Sequence, residues 1–305
     1  MSNQLTRLKS LYKKSDDKMH HFLSQKLKSY GYHIEDSYNE YIFASHKDQD
    51  DIMLVSHIDT VHDTKPKERD LVVNGAIITA PETGLGADDR NGIFAILELL
   101  KRGLRPQVLF THLEESGGIG ASAFVRDYPE PPYNTEFMIE IDRRGIGEAV
   151  FYECGNEEFQ TMIQECGFTL DFGSYSDIAT IGPAWDVAAV NLSAGYLNEH
   201  TYREKTVFTG LMYTVNLVSN ILKNSELFNS YNYQDTSIRK NSYTKHSWGV
   251  TRNSWNGYDG YEYYDRYDEA GYWDEDGEYD IDGNYVGSMT DRFEEYKPIS
   301  KSKKK

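Results

Sequence analysis

At 305 residues and 39% apolar content the chain is long enough for one large packed domain, and a formal charge of -17 sets it against phosphate backbones, which excludes nucleic acid as an expected partner. No apolar run reaches membrane-spanning length, and the opening Met1-Ser-Asn-Gln-Leu-Thr-Arg7 lacks the apolar stretch of a signal peptide. Two cysteines, Cys154 and Cys166, give no disulfide framework, so a soluble cytoplasmic protein without a membrane partner is expected.

Composition divides the chain. Residues 1–227 alternate strand-like and helix-like patterns and carry 34 acids against 21 bases, whereas 228–305 carry 15 against 11 and are rich in Tyr, Asp, Asn, Gly and Ser. A folded domain over 1–227 and a disordered tail over 228–305 are expected.

In chain order, Ser15-Asp-Asp17 predicts the start of a helix that presents Met19, Phe22, Leu23 and Leu27 and ends near Gly31. Residues 32–35 and 40–45 read as short strands. The apolar run 51–56 predicts a strand covered on both faces, with His57 at its carboxyl end. Two β-branched arms around Asn74-Gly75 predict a hairpin over 71–78. The glycine-rich stretch 84–92 then sets Asp88 beside Asp89, ahead of a helix built on Ile93, Phe94, Leu97 and Leu100 that stops at Gly103.

A strand over 107–113 runs into Glu114 and Glu115, a helix is expected over 117–126, and a strand over 136–141 runs into Asp142. Asn156 predicts the cap of a helix running towards Cys166. Residues 174–178 open a loop or short helix, 187–192 form a further buried strand with His200 in the loop after it, and 206–222 form the closing helix. Strands alternating with helices predict an α/β fold, a mainly parallel mixed sheet flanked by helices on both faces. Such folds bind beyond the carboxyl ends of their strands, where His57, Glu115, Asp142 and His200 all fall.

Histidines and carboxylates without a cysteine among them form a nitrogen and oxygen donor set suited to Zn²⁺, Mn²⁺ or Co²⁺. Asp88 is the candidate bridge between two ions, which such a carboxylate would hold roughly 3.5–4 Å apart. The paired acids Glu114 and Glu115 permit a division of labour, one binding metal and the other serving as general base. Asp59, two residues after His57, is placed to orient that imidazole. Each motif alone is weak, and the inference rests on five clusters in order at strand ends. The other histidines lack that context: His20, His21, His33, His46 and His246 read as surface, His62 as loop and His112 as packing.

The succession His57-x-Asp59, Gly86-Ala-Asp-Asp89, Glu114-Glu115, Asp142 and His200-Thr201 resembles the co-catalytic dinuclear zinc exopeptidases, which include peptidase T, glutamyl aminopeptidases and bacterial leucyl aminopeptidases. The resemblance spans about residues 15–222. It implies that His57, Asp88 and Asp142 hold one ion and that Asp88, Glu115 and His200 hold the other. It further implies Glu114 as general base, Asp59 behind the imidazole, and a cis peptide between Asp88 and Asp89. Two divalent ions are implied, zinc first, with cobalt or manganese as alternatives.

Relatives of peptidase T carry a lid between the metal-binding Asp and the last His, and tetrahedral aminopeptidases carry an insertion between the first His and the bridging Asp. Here only 57 and 30 residues fill those intervals, which implies a minimal catalytic domain. Arg143 and Arg144 are placed either to grip a substrate carboxylate bidentately or to balance local acidity, and Ser176 and Asp177 are candidates for the pocket lining. The function implied is removal of residues from a chain end by attack of a metal-bridging hydroxide on a peptide or small amide, an aminopeptidase first. Alternatives are an N-acyl amino acid amidohydrolase or deacetylase with the same site, and a catalytically silent scaffold that presents the tail.

Within the tail, Gly257 to Tyr285 carries 11 acids, one base and eight tyrosines, too little aliphatic surface to fold alone. A calcium loop is excluded there, because Tyr279 or Tyr285 stands where that loop needs glycine.

Overall fold

Four strands that are buried along most of their length make the parallel heart of the molecule, and the elements around them explain why. The computed structural model describes residues 2–48 and 51–236, with three short strands beyond. The first half comprises α1 (Ser2–Tyr12), α2 (Asp16–Ser29), β1 (His33–Ser37), β2 (Tyr41–Ser45), β3 (Ile52–His57), β4 (Val72–Asn74), β5 (Ile77–Thr79), α3 (Ala87–Lys101) and β6 (Gln107–Thr111). There follow α4 (Ile119–Asp127), β7 (Phe137–Arg143), β8 (Glu148–Val150), α5 (Glu157–Glu165), β9 (Thr169–Leu170), α6 (Ile178–Trp185), β10 (Ala189–Ser193), β11 (Tyr196–Leu197), β12 (Lys205–Val207) and α7 (Phe208–Lys223).

Eight strands form one sheet in the order β1-β2-β6-β3-β7-β10-β8-β9. The inner strands β6, β3, β7 and β10 are parallel to one another, while β1 with β2, β2 with β6, and β8 with β10 are antiparallel. Every residue of β3, β6 and β10 is buried, as continuous apolar runs covered on both faces require. Helix α3 packs on β3 and β7 and against α1 and α7. Helices α4 and α6 cover other parts of the sheet through Phe124, Ile178, Ile181 and Trp185. A second, antiparallel sheet of order β11-β12-β5-β4 carries the loop that holds His200.

Several elements depart from sequence expectation. Helix α1 had no predicted counterpart, although Leu8, Leu11 and Tyr12 are buried at helical spacing. The strand expected to reach residue 113 ends at Thr111, because Leu113 takes a left-handed backbone that turns the chain out of the sheet. His20, expected on the surface, is buried, with Nδ1 2.8 Å from Nε2 of His112 and Nε2 2.9 Å from Asp36. Its helical face, shared with Met19 and Leu23, brings the ring inward.

The compact unit spans Met1–Ser237, past the boundary expected at residue 227. Residues beyond α7 run back under the sheet, where Tyr231 donates its amide to Glu136 O at 2.9 Å and accepts from Ala188 at 2.7 Å. The Tyr231 ring lies 5.9 Å from Phe137 and 5.2 Å from Phe159, and Phe228 lies 6.0 Å from Phe137, so an otherwise polar segment is fixed by aromatics docked on an existing core.

Within the second unit, Ile238–Lys305, Tyr272–Trp273, Glu278–Tyr279 and Tyr285–Gly287 pair as a three-stranded antiparallel sheet, in a stretch where no fold was expected. His246 and the remainder of the acidic run lie outside the described residues. Among the described residues no helix is long and apolar enough to cross a membrane.

Candidate metal centre

The parallel strands deliver their donors to one end of the sheet, beyond their carboxyl termini. His57 ends β3, Asp142 lies in the last turn of β7, Glu114 and Glu115 follow β6, and His200 stands between β11 and β12. Asp88 comes from the start of α3, where Asp88 and Asp89 have non-helical backbone angles and the peptide between them is cis. Gly92, one turn further on, is a packing requirement: a Cβ there would meet the carbonyl of Ile141 and the carboxylate of Asp89.

The two oxygens of Asp88 face two different imidazoles. Oδ1 lies 2.9 Å from His57 Nε2, and Oδ2 lies 3.2 Å from His200 Nε2. Asp142 Oδ1 approaches the same nitrogen of His57 at 3.4 Å, and Glu115 Oε1 approaches His200 Nε2 at 3.0 Å. Donor atoms of His57, Asp88 and Glu115 lie within 4.8 Å of one another, as do those of His57, Asp89 and Asp142. Of the two aspartates, Asp88 is the one that keeps some exposure and faces both imidazoles. Asp89 is occupied within the fold, accepting from Ser56 Oγ at 2.5 Å and from the Gly92 amide at 2.8 Å.

Asp59 does more than face the imidazole. Its Oδ1 is 3.4 Å from His57 Nδ1, and its two oxygens accept the backbone amides of Glu114 and Glu115, each at 3.2 Å. Asp142 is held from behind, its amide donating to Asn191 Oδ1 at 2.9 Å while Tyr196 donates its hydroxyl to the Asp142 carbonyl at 2.9 Å.

Electrostatics explains what such a cluster wants. Among the described residues, the ion-pair and hydrogen-bond partners of Asp88, Glu115 and Asp142 include no lysine or arginine. Buried negative charge without a cation is costly, and the chain answers by holding protons. Burial opposes charge on His57, yet Asp142, Asp59 and Asp88 outweigh it and push its pKa well up. The hydrogen bonds that His200 donates to Asp88 and Glu115 raise its pKa to about 11. Burial and the Asp88 charge raise Asp142, while Asp88 itself, against its burial, is lowered by His200 and His57. Burial carries Glu114 up to about 8, with Asp177, Asp88 and Glu115 adding to it and His57 opposing. The donor chemistry, imidazole nitrogens and carboxylate oxygens, fits a divalent metal cofactor.

Other candidate residues are placed differently. Arg143 donates to Asp171 Oδ2 and to the Phe172 carbonyl, each at 2.9 Å, and Arg144 donates to Glu199 at 3.0 Å. Both guanidinium groups thus balance local acids. Ser176 and Asp177 are fully buried behind the centre: Ser176 donates to Glu140, and Asp177 accepts from Thr111. Burial raises Asp177 to about 6 and pushes Glu140 well above the usual carboxyl range.

Two participants lacked any sequence expectation. Glu140 is a buried acid in an apolar strand, a signal that was present but gave no partner. Glu204 is a buried carboxylate in a polar loop, where nothing in the pattern separates it from a surface acid.

No protein-family model and no curated protein sequence matches the chain. Solved structures do. The aminopeptidase PepT from Bacillus cereus superposes with a TM-score of 0.61 at 15% identity, over 74% of this chain and 98% of that one. An aminopeptidase from the archaeon Desulfurococcus kamchatkensis gives 0.56 at 14%, over 72% and 94%. A Zn-dependent exopeptidase from Parabacteroides distasonis gives 0.50 at 16%, over 67% and 88%. The fold of this chain is that of the PepT-type aminopeptidases and zinc-dependent exopeptidases.

Proposed function

We propose that the chain is a dinuclear-metal exopeptidase, an aminopeptidase, whose ions are held by His57, Asp88, Glu115, Asp142 and His200. Asp88 would serve both ions, His57 and Asp142 would complete the protein ligands of one, and Glu115 and His200 those of the other. The observation that carries this reading is the pair of imidazoles facing opposite oxygens of one carboxylate. Bound there, divalent ions supply Lewis acidity for the scissile carbonyl and lower the pKa of the attacking water, zinc being favoured by the donor set.

Glu114 performs the proton transfers. Its carboxylate takes a proton from the attacking water and returns it to the nitrogen of the leaving amine. A carboxyl raised by burial suits that exchange, and the Asp59 cradle fixes the backbone from which Glu114 and Glu115 both project. The aminopeptidase reading is supported by the aminopeptidases on which the fold superposes. With Arg143 and Arg144 paired to acids, a carboxylate clamp has less support. Buried free thiols at Cys154 and Cys166 support a cytoplasmic setting.

The test is a competition on protein reconstituted with Zn²⁺, Co²⁺ or Mn²⁺, between aminoacyl amides and their N-acetylated counterparts. Release from the free-amine substrate is expected; hydrolysis of the N-acyl substrate alone would make the chain an amidohydrolase.

A further inference from the structure

Four residues after His200, Glu204 is fully buried, and among the described residues none of its hydrogen-bond or ion-pair partners is a lysine or arginine. A buried carboxylate persists only where its oxygens are satisfied. Here they are satisfied by the turn that carries Asp88. Oε2 accepts the Gly86 amide at 2.6 Å and Oε1 accepts the Asp88 amide at 3.1 Å, while His62 Nε2 lies 3.2 Å from Oε2. The His62 ring is itself seated on this turn, because a Cβ at Gly84 would run into it. With both oxygens so committed, Glu204 is a brace and not a sixth ligand.

The path from Glu204 back to His200 is short and stiff. Asn198 and His200 both have left-handed backbones, with φ of 59° and 62°. Thr201 donates its hydroxyl to the Asn198 carbonyl at 2.8 Å and accepts the Arg203 amide at 3.1 Å, and the Glu204 amide donates to Thr201 O at 3.2 Å. Left-handed positions in residues other than glycine are held only where surrounding contacts over-determine them. One end of this loop thus carries His200 and the other grips the amide of Asp88.

We propose that Glu204, supported by His62, is the positioning residue that sets Asp88 against His200 and so shapes the second ion's place. The arrangement repeats the Asp59 device: one buried carboxylate cradles the Glu114-Glu115 backbone, and another cradles the Gly86-Asp88 turn. This inference rests on the two-ion reading of the centre.

Its test is calorimetric titration of Zn²⁺ into metal-stripped full-length protein, as wild type, Glu204→Gln and Glu204→Asp, with metal-free Tm and steady-state kinetics alongside. Gln keeps the size but offers only one acceptor oxygen, and Asp is too short to span both amides. Wild type is expected to bind two ions. Each folded variant should bind one of them about 10–100-fold more weakly, with kcat lowered more than KM is changed. Folded variants that bind both ions at wild-type affinity would overturn the proposal, even if their Tm is lower. Should neither variant fold, His62→Asn carries the comparison with a few-fold weakening expected, and unchanged affinity there counts against the brace. A wild type that binds no ions would remove the two-ion reading, and this inference with it.

Discussion

The two ends of the parallel strands are finished in opposite ways. At the carboxyl ends His57, Asp88, Asp142, Glu115 and His200 gather acid and imidazole groups, and among the described residues the ion-pair and hydrogen-bond partners of the three carboxylates include no lysine or arginine. At the amino ends, the segment after α7 lays Tyr231 against Phe137 and Phe159 and pairs its backbone with Glu136 and Ala188. Aromatic burial at one end offsets the unfavourable electrostatics at the other. A stable sheet can therefore carry a centre that is poorly satisfied until cations arrive, in keeping with the tendency of functional sites to break rules the rest of the fold obeys.

That contrast is broken most strongly by a change at the polar end that leaves the apolar end untouched. Glu114→Gln should lower kcat by about 10²–10⁴-fold, the usual contribution of a general acid or base, with metal content and Tm unchanged. Rates near wild type would show that another group moves the proton.

The converse experiment removes the apolar closure. Truncation after residue 227 takes away Phe228, Tyr231 and Tyr233 and should cost about 2–4 kcal/mol, the range for burying large aromatic side chains. Truncation after residue 237 keeps those three aromatics and serves as the reference. Urea midpoints of the two truncations make the comparison, and equal midpoints would mean that the segment from 228 to 237 contributes nothing.

A smaller effect joins the two themes. Burial and the neighbouring His20 push the His112 pKa down to about 4, against an unfolded value near 6.5. Between those values the unfolded chain takes up a proton that the folded chain refuses. The contribution is therefore complete above about pH 6.5 and is lost as pH falls towards 4, by roughly 2 kcal/mol. His112→Gln should flatten that part of the stability profile. An unchanged slope between pH 7 and pH 4.5 would assign the acid sensitivity elsewhere.

How much of this was legible in the sequence follows from what each residue depends on. His57, Glu115 and Asp142 could be picked out because each stands where an apolar run ends, and periodicity marks strand ends well, whereas Asp88 stood out as one of two adjacent acids in a glycine-rich turn. The cis peptide came with the Asp88-Asp89 pair only through resemblance. Glu204 was illegible, since its role depends on a turn more than a hundred residues away and its local context is polar. Ser176 and Asp177 looked like pocket residues, yet both are fully buried and hydrogen-bonded to Glu140 and Thr111. His20 read as surface because the alternation of α2 does not reveal that His112 and Asp36 meet it. The segment after residue 227 resembled tail for a related reason: single aromatics in polar surroundings bury themselves only against a core built by others.

The central claim is a two-ion centre bridged by Asp88, and the most direct measurement is the metal stoichiometry of zinc-reconstituted protein, wild type against Asp88→Asn. The account predicts two ions per chain in the wild type and loss of tight binding at both places in the variant. No ions in the wild type, or full occupancy retained in Asp88→Asn, would contradict it.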